Sequence, residues 1–108
     1  MLHYLASPYS HPDPAVMEER RVAACRKAWE LIASGLAVIS PIARNVAMIG
    51  VAGCAAGWER WREQGSAVLA ACGKVLVLRL PGYEQSVGVA AEIAIAESLV
   101  IPVEYIEP

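Results

Sequence analysis

Residues 74–99 read KVLVLRLPGYEQSVGVAAEIAIAESL, and this stretch decides the fold. Its first part, KVLVLRL over 74–80, is rich in Val and Leu, as a strand buried on both faces should be. Pro81-Gly82 then breaks the strand. Residues 86–99 form a helix, with Val89, Ile93, Ala96 and Val100 recurring at helical spacing as its buried stripe. A buried strand that feeds a helix through a short break is half of a βαβ unit.

The same rhythm appears on either side. Residues 3–6 are a short apolar run that breaks into Ser7-Pro8-Tyr9-Ser10, which predicts a first strand and a loop. Asp13-Pro14 opens a helix, with Asp as N-cap and Pro at the first helical position, where its missing N–H costs nothing. Val22, Cys25, Trp29 and Ile32 are expected to form that helix's apolar face, and Gly35 to stop it. Residues 36–39 read as a second strand, ended by Ser40-Pro41. Residues 44–57 are small and apolar, with Gly50, Gly53 and Gly57, and suit a short helix followed by a loop. Residues 59–71 read as a helix, with Trp61, Val68, Leu69 and Cys72 partly on one face. Residues 102–106 make the last strand. This alternation predicts an α/β protein, with a parallel sheet, right-handed crossovers and helices on both faces.

Composition bounds the function. The chain has 108 residues, 56% of them hydrophobic, with mean hydropathy +0.42 and formal charge −2. Residues 1–108 therefore read as a single domain, too apolar for disorder. Nine Lys and Arg against eleven Asp and Glu leave no electrostatic footprint for a nucleic-acid polymer. Three widely spaced cysteines, Cys25, Cys54 and Cys72, without a CxxC, argue against a disulfide framework and a zinc site and fit a reduced cytoplasm. His3 and His11 are too scattered for a metal cluster, so neither metal nor cofactor is expected. The N-terminus shows no signal peptide. The longest uncharged stretch, 45–58, is shorter than the 18–20 residues or so that span a bilayer, so no membrane partner is expected. Surplus apolar surface makes a homo-oligomer, a dimer or higher, the expected state.

Chemistry should sit beyond the carboxyl ends of the strands, near a switch in strand order. Two loops qualify, residues 7–13 and 81–88. The second runs into a helix N-terminus, where free amides and the macrodipole favour an anion. Ser86 there is either a hydroxyl donor to that anion or simply the N-cap. Ten of the eleven acids are Glu and only Asp13 is Asp, so a carboxylate site must be a Glu site. Glu92 lies one turn after Gly88, and helical side chains lean toward the N-terminus. It would project over Gly88 toward the loop, or else be a solvated Glu in the dipole's field. Glu97 reads as ordinary surface. Trp58 and Trp61 could stack a base or anchor the core, and the phenols of Tyr4 and Tyr9 could serve a site or a structural hydrogen bond. Dinucleotide fingerprint, P-loop and nucleophile elbow are absent from the sequence.

YLASPYS (residues 4–10), SPIA (40–43), WERW (58–61) and LPGYEQSVGVAAEIAIA (80–96) together resemble the nucleoside 2-deoxyribosyltransferase-like proteins. These include 2′-deoxynucleoside 5′-monophosphate N-glycosidases and cytidylate hydrolases. The most specific part is Ser86-x-Gly88-x-x-x-Glu92. The resemblance implies a compact Rossmann-like, flavodoxin-related three-layer sandwich with four or five parallel strands, and oligomers with sites near subunit interfaces. It implies Glu92 as nucleophile at the anomeric carbon, in the manner of retaining glycosidases. Tyr4 would orient the Glu or the sugar, and Ser86 would bind the 5′-phosphate beside Gly88. Ser7, Tyr9 and Arg44 are the remaining candidate substrate contacts. Ser at 86, where transferases for free nucleosides tend to carry Asp, favours a nucleotide over a nucleoside.

Two family carboxylates are missing. An Asp in the helix before the third strand and another just before that strand align with Gly65 and Gly73. Arg44 stands where close relatives often carry His, and it either binds phosphate or carboxylate in a bidentate way or sits on the surface. Glu63 could substitute for the first if the helical register allows. Two expectations follow: an N-glycosidase or deoxyribosyltransferase-like enzyme acting on a nucleoside 5′-monophosphate, or a non-catalytic nucleotide-binding or structural oligomeric module.

Overall fold

The computed structural model describes residues 1–52 and 58–108. In chain order it contains β1 (Leu2–Ala6), α1 (Pro14–Ala33), β2 (Ala37–Ile39), α2 (Pro41–Ala52), α3 (Trp58–Ala70), β3 (Lys74–Leu78), a 3-10 turn (Tyr83–Gln85), α4 (Val87–Ser98) and β4 (Val103–Ile106). The four strands form one parallel sheet in the order β2-β1-β3-β4. Strand pairs Tyr4↔Val75, Leu5↔Leu76 and Ala6↔Val77 join β1 to β3 at its centre. From there the chain moves outward to β2 in one direction and to β4 in the other. The junction of β1 and β3 is therefore the topological switch point, and the two loops expected to carry chemistry both leave from it.

Strand side chains alternate between the two faces. Tyr4, Ala6, Val75 and Val77 pack with Leu69 and Cys72, at the end of α3, and with Val89 and Ala96 of α4. Leu5, Leu76 and Leu78, with Leu80 just beyond β3, pack against Ala28 of α1. Among the described residues, no helix is long and apolar enough to cross a membrane.

Local chemistry explains where helices begin and end. The Asp13 carboxylate accepts the Ala15 amide at 2.9 Å and caps α1. At its other end the amides of Gly35 and Leu36 reach back to the carbonyls of Ile32 and Leu31, at 3.0 and 3.1 Å. That double closure needs a left-handed residue, and Gly35 supplies it with φ of +105°.

Three expectations are corrected. The apolar face assigned to α1 is not the buried one. Ala24 and Ala28 face the interior at 0% and 8% exposure, whereas Trp29 and Ile32 are 67% and 43% exposed. Small side chains let the helix lie close on the sheet, so the bulky ones are turned outward. Ser40-Pro41 does not merely end β2. The Ser40 hydroxyl accepts the Ala43 amide at 3.3 Å and Pro41 is the first residue of α2, so the helix expected within 44–57 starts earlier. Residues 53–57, including Gly53, Cys54 and Gly57, lie outside the described residues. Finally, Val100 does not continue the stripe of α4. It sits past the helix end, 89% exposed, in the left-handed region at φ +57°.

Val100 occupies the position that Gly35 fills after α1. Its amide bonds to the Glu97 carbonyl at 3.1 Å and that of Ile101 to Ala96 at 2.8 Å. A β-branched residue is strained there by ~1–2 kcal/mol. Replacing Val100 with Gly is expected to stabilise the fold by about 1 kcal/mol, raising Tm by a few degrees in a thermal melt.

Candidate active site

The site is built around the phenol of Tyr4. This residue lies on the central strand β1 and is 2% exposed. Its hydroxyl faces the carboxylate of Glu92 on α4, close enough for each group to shift the titration of the other. Glu92 reaches it because Val89 and Ala96, three residues before and four after, anchor that face of α4 in the core. A carboxylate thus stands on a helix face otherwise occupied by Val and Ala. Glu97, by contrast, is exposed.

Burial controls the electrostatics of the pair. Removal from water disfavours the charged form and pushes Glu92 up to about 7, against the smaller opposing effect of the Tyr4 hydroxyl. Burial, and then the neighbouring Glu92 charge, push the Tyr4 phenol far above its ordinary range. Tyr4 therefore remains a proton donor at every physiological pH, and Glu92 is the member that titrates.

Two further helices reach this phenol. Gly65 of α3 faces it: a Cβ at that position would lie 3.6 Å from the Tyr4 hydroxyl, in ordinary contact. Arg44 of α2 is close enough for its charge to oppose the upward shift of the phenol. The Arg44 Nε donates to Asn45 Oδ1 at 3.2 Å, while its Nη2 is buried without a hydrogen-bond partner. Only one other buried side-chain polar atom among the described residues has no partner, the hydroxyl of Ser7, a residue 5% exposed at the end of β1. Both belong to residues singled out from the sequence, and a buried polar atom without a partner is uncommon in folded proteins.

The start of α4 lies just over one turn before Glu92. Ser86 is the N-cap, and its hydroxyl accepts the Val89 amide at 3.2 Å. That oxygen keeps its own proton for donation. Above Gly88 a Cβ would meet only the Ser86 hydroxyl, at 3.9 Å. The backbone there is open to a ligand, next to amides that have no intrahelical acceptor.

Other candidates are placed elsewhere. Tyr9 lies in the loop after β1, and the contact the structure gives it is through its carbonyl, 3.5 Å from Arg20 Nη1. Glu63 does not replace the missing carboxylate, because it is exposed and pairs with Arg60 at 3.4 Å. Gly73 lies beneath the Met1 side chain and donates its amide to Leu2 at 2.8 Å, a strand-flanking role. His3 bonds across to the Ala37 carbonyl on the neighbouring strand β2, and His11 accepts the Asp13 amide. Trp61 is partly buried on the same face of α3 as Gly65, one turn earlier.

Sequence reasoning missed Arg20. From α1 it reaches the carbonyls of Ser10 and Pro81, in the two loops that leave the switch point. Nothing in its local pattern separates it from the solvated charges around it. Its counterpart is Gly82, with φ of +89°, in the Pro81-Gly82 break.

A family model described as Domain of unknown function (DUF1937) matches residues 2–107, and the chain belongs to that family. No curated protein matches it. Among solved structures, a 2-deoxyribosyltransferase from the psychrotolerant bacterium Bacillus psychrosaccharolyticus superposes with a TM-score of 0.73 at 21% identity, over 100% of this chain and 73% of that one. The chain has the α/β, Rossmann-like, nucleoside 2-deoxyribosyltransferase-like fold.

The raised Glu92 has a thermodynamic consequence. The folded state holds its proton more tightly than the unfolded chain, whose glutamate titrates near its ordinary 4.5. Stability from this group is therefore complete below about 4.5 and is lost as pH rises toward about 7. Exposed Glu18 and Glu104 are lowered by Arg21 and Lys74 and act in the opposite direction at more acid pH. In melts from pH 4.5 to 8, the Tm of the wild type minus that of Glu92→Gln is expected to fall with rising pH and level off above neutrality.

Proposed function

We propose that this member of the DUF1937 family cleaves the N-glycosidic bond of a nucleoside 5′-monophosphate, with Glu92 as the nucleophile and the displaced sugar passed to water or to another base. The observation that carries the reading is the half-buried Glu92 carboxylate facing the buried Tyr4 phenol, one turn behind the open helix start at Gly88. The likeness to the deoxyribosyltransferase fold supports it.

In this reading the ionised Glu92 attacks the anomeric carbon as the bond to the base nitrogen breaks. The bonding electrons leave with the base, which takes up a proton, as acid–base assistance to the leaving group requires. Water then attacks the glycosyl ester and restores the carboxylate. Tyr4 orients the attacking oxygen and keeps its proton throughout. The 5′-phosphate lies against the amides at the start of α4 and the Ser86 hydroxyl. Ser7 and Arg44 hold the sugar or phosphate through their unpartnered polar atoms, and Tyr9 closes the loop side. No metal or cofactor takes part.

We extend the proposal to the setting. Residues 1–108 act as one domain. Exposed Trp29, Ile32, Met48 and Val51 support self-association into a dimer or higher oligomer. The free thiols of Cys25 and Cys72 support a cytoplasmic location.

One observation favours a second reading. Gly65 brings no carboxylate to the Tyr4 hydroxyl, so the chain could bind nucleotides without turning them over. The two readings separate cleanly. The first expects free base from at least one member of a panel of ribo- and deoxyribonucleoside monophosphates, followed by chromatography, with loss of at least about 1000-fold in Glu92→Gln. The second expects nucleotides to raise Tm equally in wild type and Glu92→Gln, with no base released. For the enzyme, kcat/KM should rise with pH to a plateau above about 7, because only the ionised Glu92 attacks. Tyr4→Phe removes a hydroxyl that holds the Glu92 pKa down, so its profile should shift to higher pH and its plateau fall roughly tenfold or more.

A further inference from the structure

Arg20 lies in the second turn of α1, away from the Tyr4–Glu92 pair. Its Nη1 donates to the Ser10 carbonyl at 2.9 Å and, more weakly, to Tyr9 at 3.5 Å. Its Nη2 donates to the Pro81 carbonyl at 3.1 Å, 61 positions away in the chain. One planar fork thus spans the loop after β1 and the loop after β3. Gly82 is shaped for it: its φ is +89°, and a Cβ there would lie 2.5 Å from Nη2. These acceptors are neutral carbonyls, so no carboxylate at these contacts cancels the guanidinium charge.

The two loops are those that border the proposed substrate crevice. One carries Ser7 and Tyr9. The other continues through the 3-10 turn into Ser86 and Gly88. The backbone amides of Tyr83, Gln85 and Ser86 close that turn on the carbonyls of Leu80, Gly82 and Tyr83, so its shape begins at the peptide Arg20 holds.

We propose that Arg20 is a positioning residue that fastens the β1 loop to the β3 loop and so sets the width and positive potential of the crevice that receives the nucleotide's anionic end. For the substrate this rests on the function proposed above; the clamp itself is independent of it. Because Arg20 touches neither Tyr4 nor Glu92, it acts on substrate capture rather than on bond cleavage. Lysine is a poor replacement, since a single ammonium lacks the fork that serves both loops together.

The test uses the full chain and the variants Arg20→Ala, Arg20→Lys and Arg20→Gln, the last keeping a planar amide without the charge or the second donor group. Hydrogen–deuterium exchange by mass spectrometry is expected to show faster exchange in residues 8–13 and 80–88 together, with β1 and β3 as protected as in the wild type. Arg20→Lys should fall between wild type and Arg20→Ala. In nucleotide hydrolysis the Arg20 variants should raise KM about tenfold while kcat stays within about threefold. The clamp is overturned if exchange in 80–88 is unchanged, if strand protection is lost together with the loops, or if kcat falls at constant KM. Should Arg20→Ala not fold, the Lys and Gln variants decide. If the wild type cleaves no nucleotide, the functional reading fails, and the exchange experiment still judges the clamp.

Discussion

A parallel strand cannot turn directly into its neighbour, so each connection must cross a face of the sheet. In this chain the crossovers place β1 against β3 at the centre and carry the chain outward from them in opposite directions. The ends of such a central pair are where open α/β sheets take their ligands. The pairing Tyr4↔Val75 sets which side chains lie there. It presents the Tyr4 side chain to the face covered by α3 and α4, and it brings the loops after both strands to one end of the molecule.

Within that frame, a single polar contact departs from the logic of the core. Glu92 occupies a helix position flanked by Val89 and Ala96, both buried. An aliphatic residue would be the stabilising choice there, because a carboxylate loses its hydration on burial. The cost is limited by the Tyr4 hydroxyl and by a carboxyl titrating at about 7 instead of in the ordinary carboxylate range. Local rules broken without a structural gain are characteristic of functional sites. Gly65 is a second such departure. A glycine within α3 is poorer for helix stability than alanine, yet a Cβ would fit there at 3.6 Å from the Tyr4 hydroxyl. What the glycine keeps open is space beside the phenol.

Much of the architecture was legible because it rests on local chemistry. Asp13-Pro14 reads as a helix start in any context, since a cap oxygen and a residue without N–H suit that position alone. The Val and Leu run of β3 reads as a strand covered on both sides. Ser86 through Glu92 could be placed at a helix N-terminus from spacing, and Ser86 is indeed the cap. Where reading failed, the deciding contact was remote. Trp29 and Ile32 form a plausible stripe, but α1 lies on its alanines because close approach to Leu5, Leu76 and Leu78 rewards small residues. In the sequence Ser40-Pro41 reads only as the end of a strand, and the capping bond to Ala43 makes it the start of a helix as well.

By itself, the sequence determined the alternation of strands and helices, the cap of the first helix, and the placing of Ser86 and Glu92 in the first turns of the last one. These depend on residues within a few turns of each other, where backbone geometry dictates spacing. Only the tertiary structure decided that Glu92 meets Tyr4, that Arg44 and Ser7 retain unpartnered polar atoms, that Gly65 faces the phenol and Glu63 does not, and that Arg20 joins two loops. Each of these depends on groups distant in the chain and on the removal of water from between them. That removal changes with the packing of whole elements, so no local pattern encodes it.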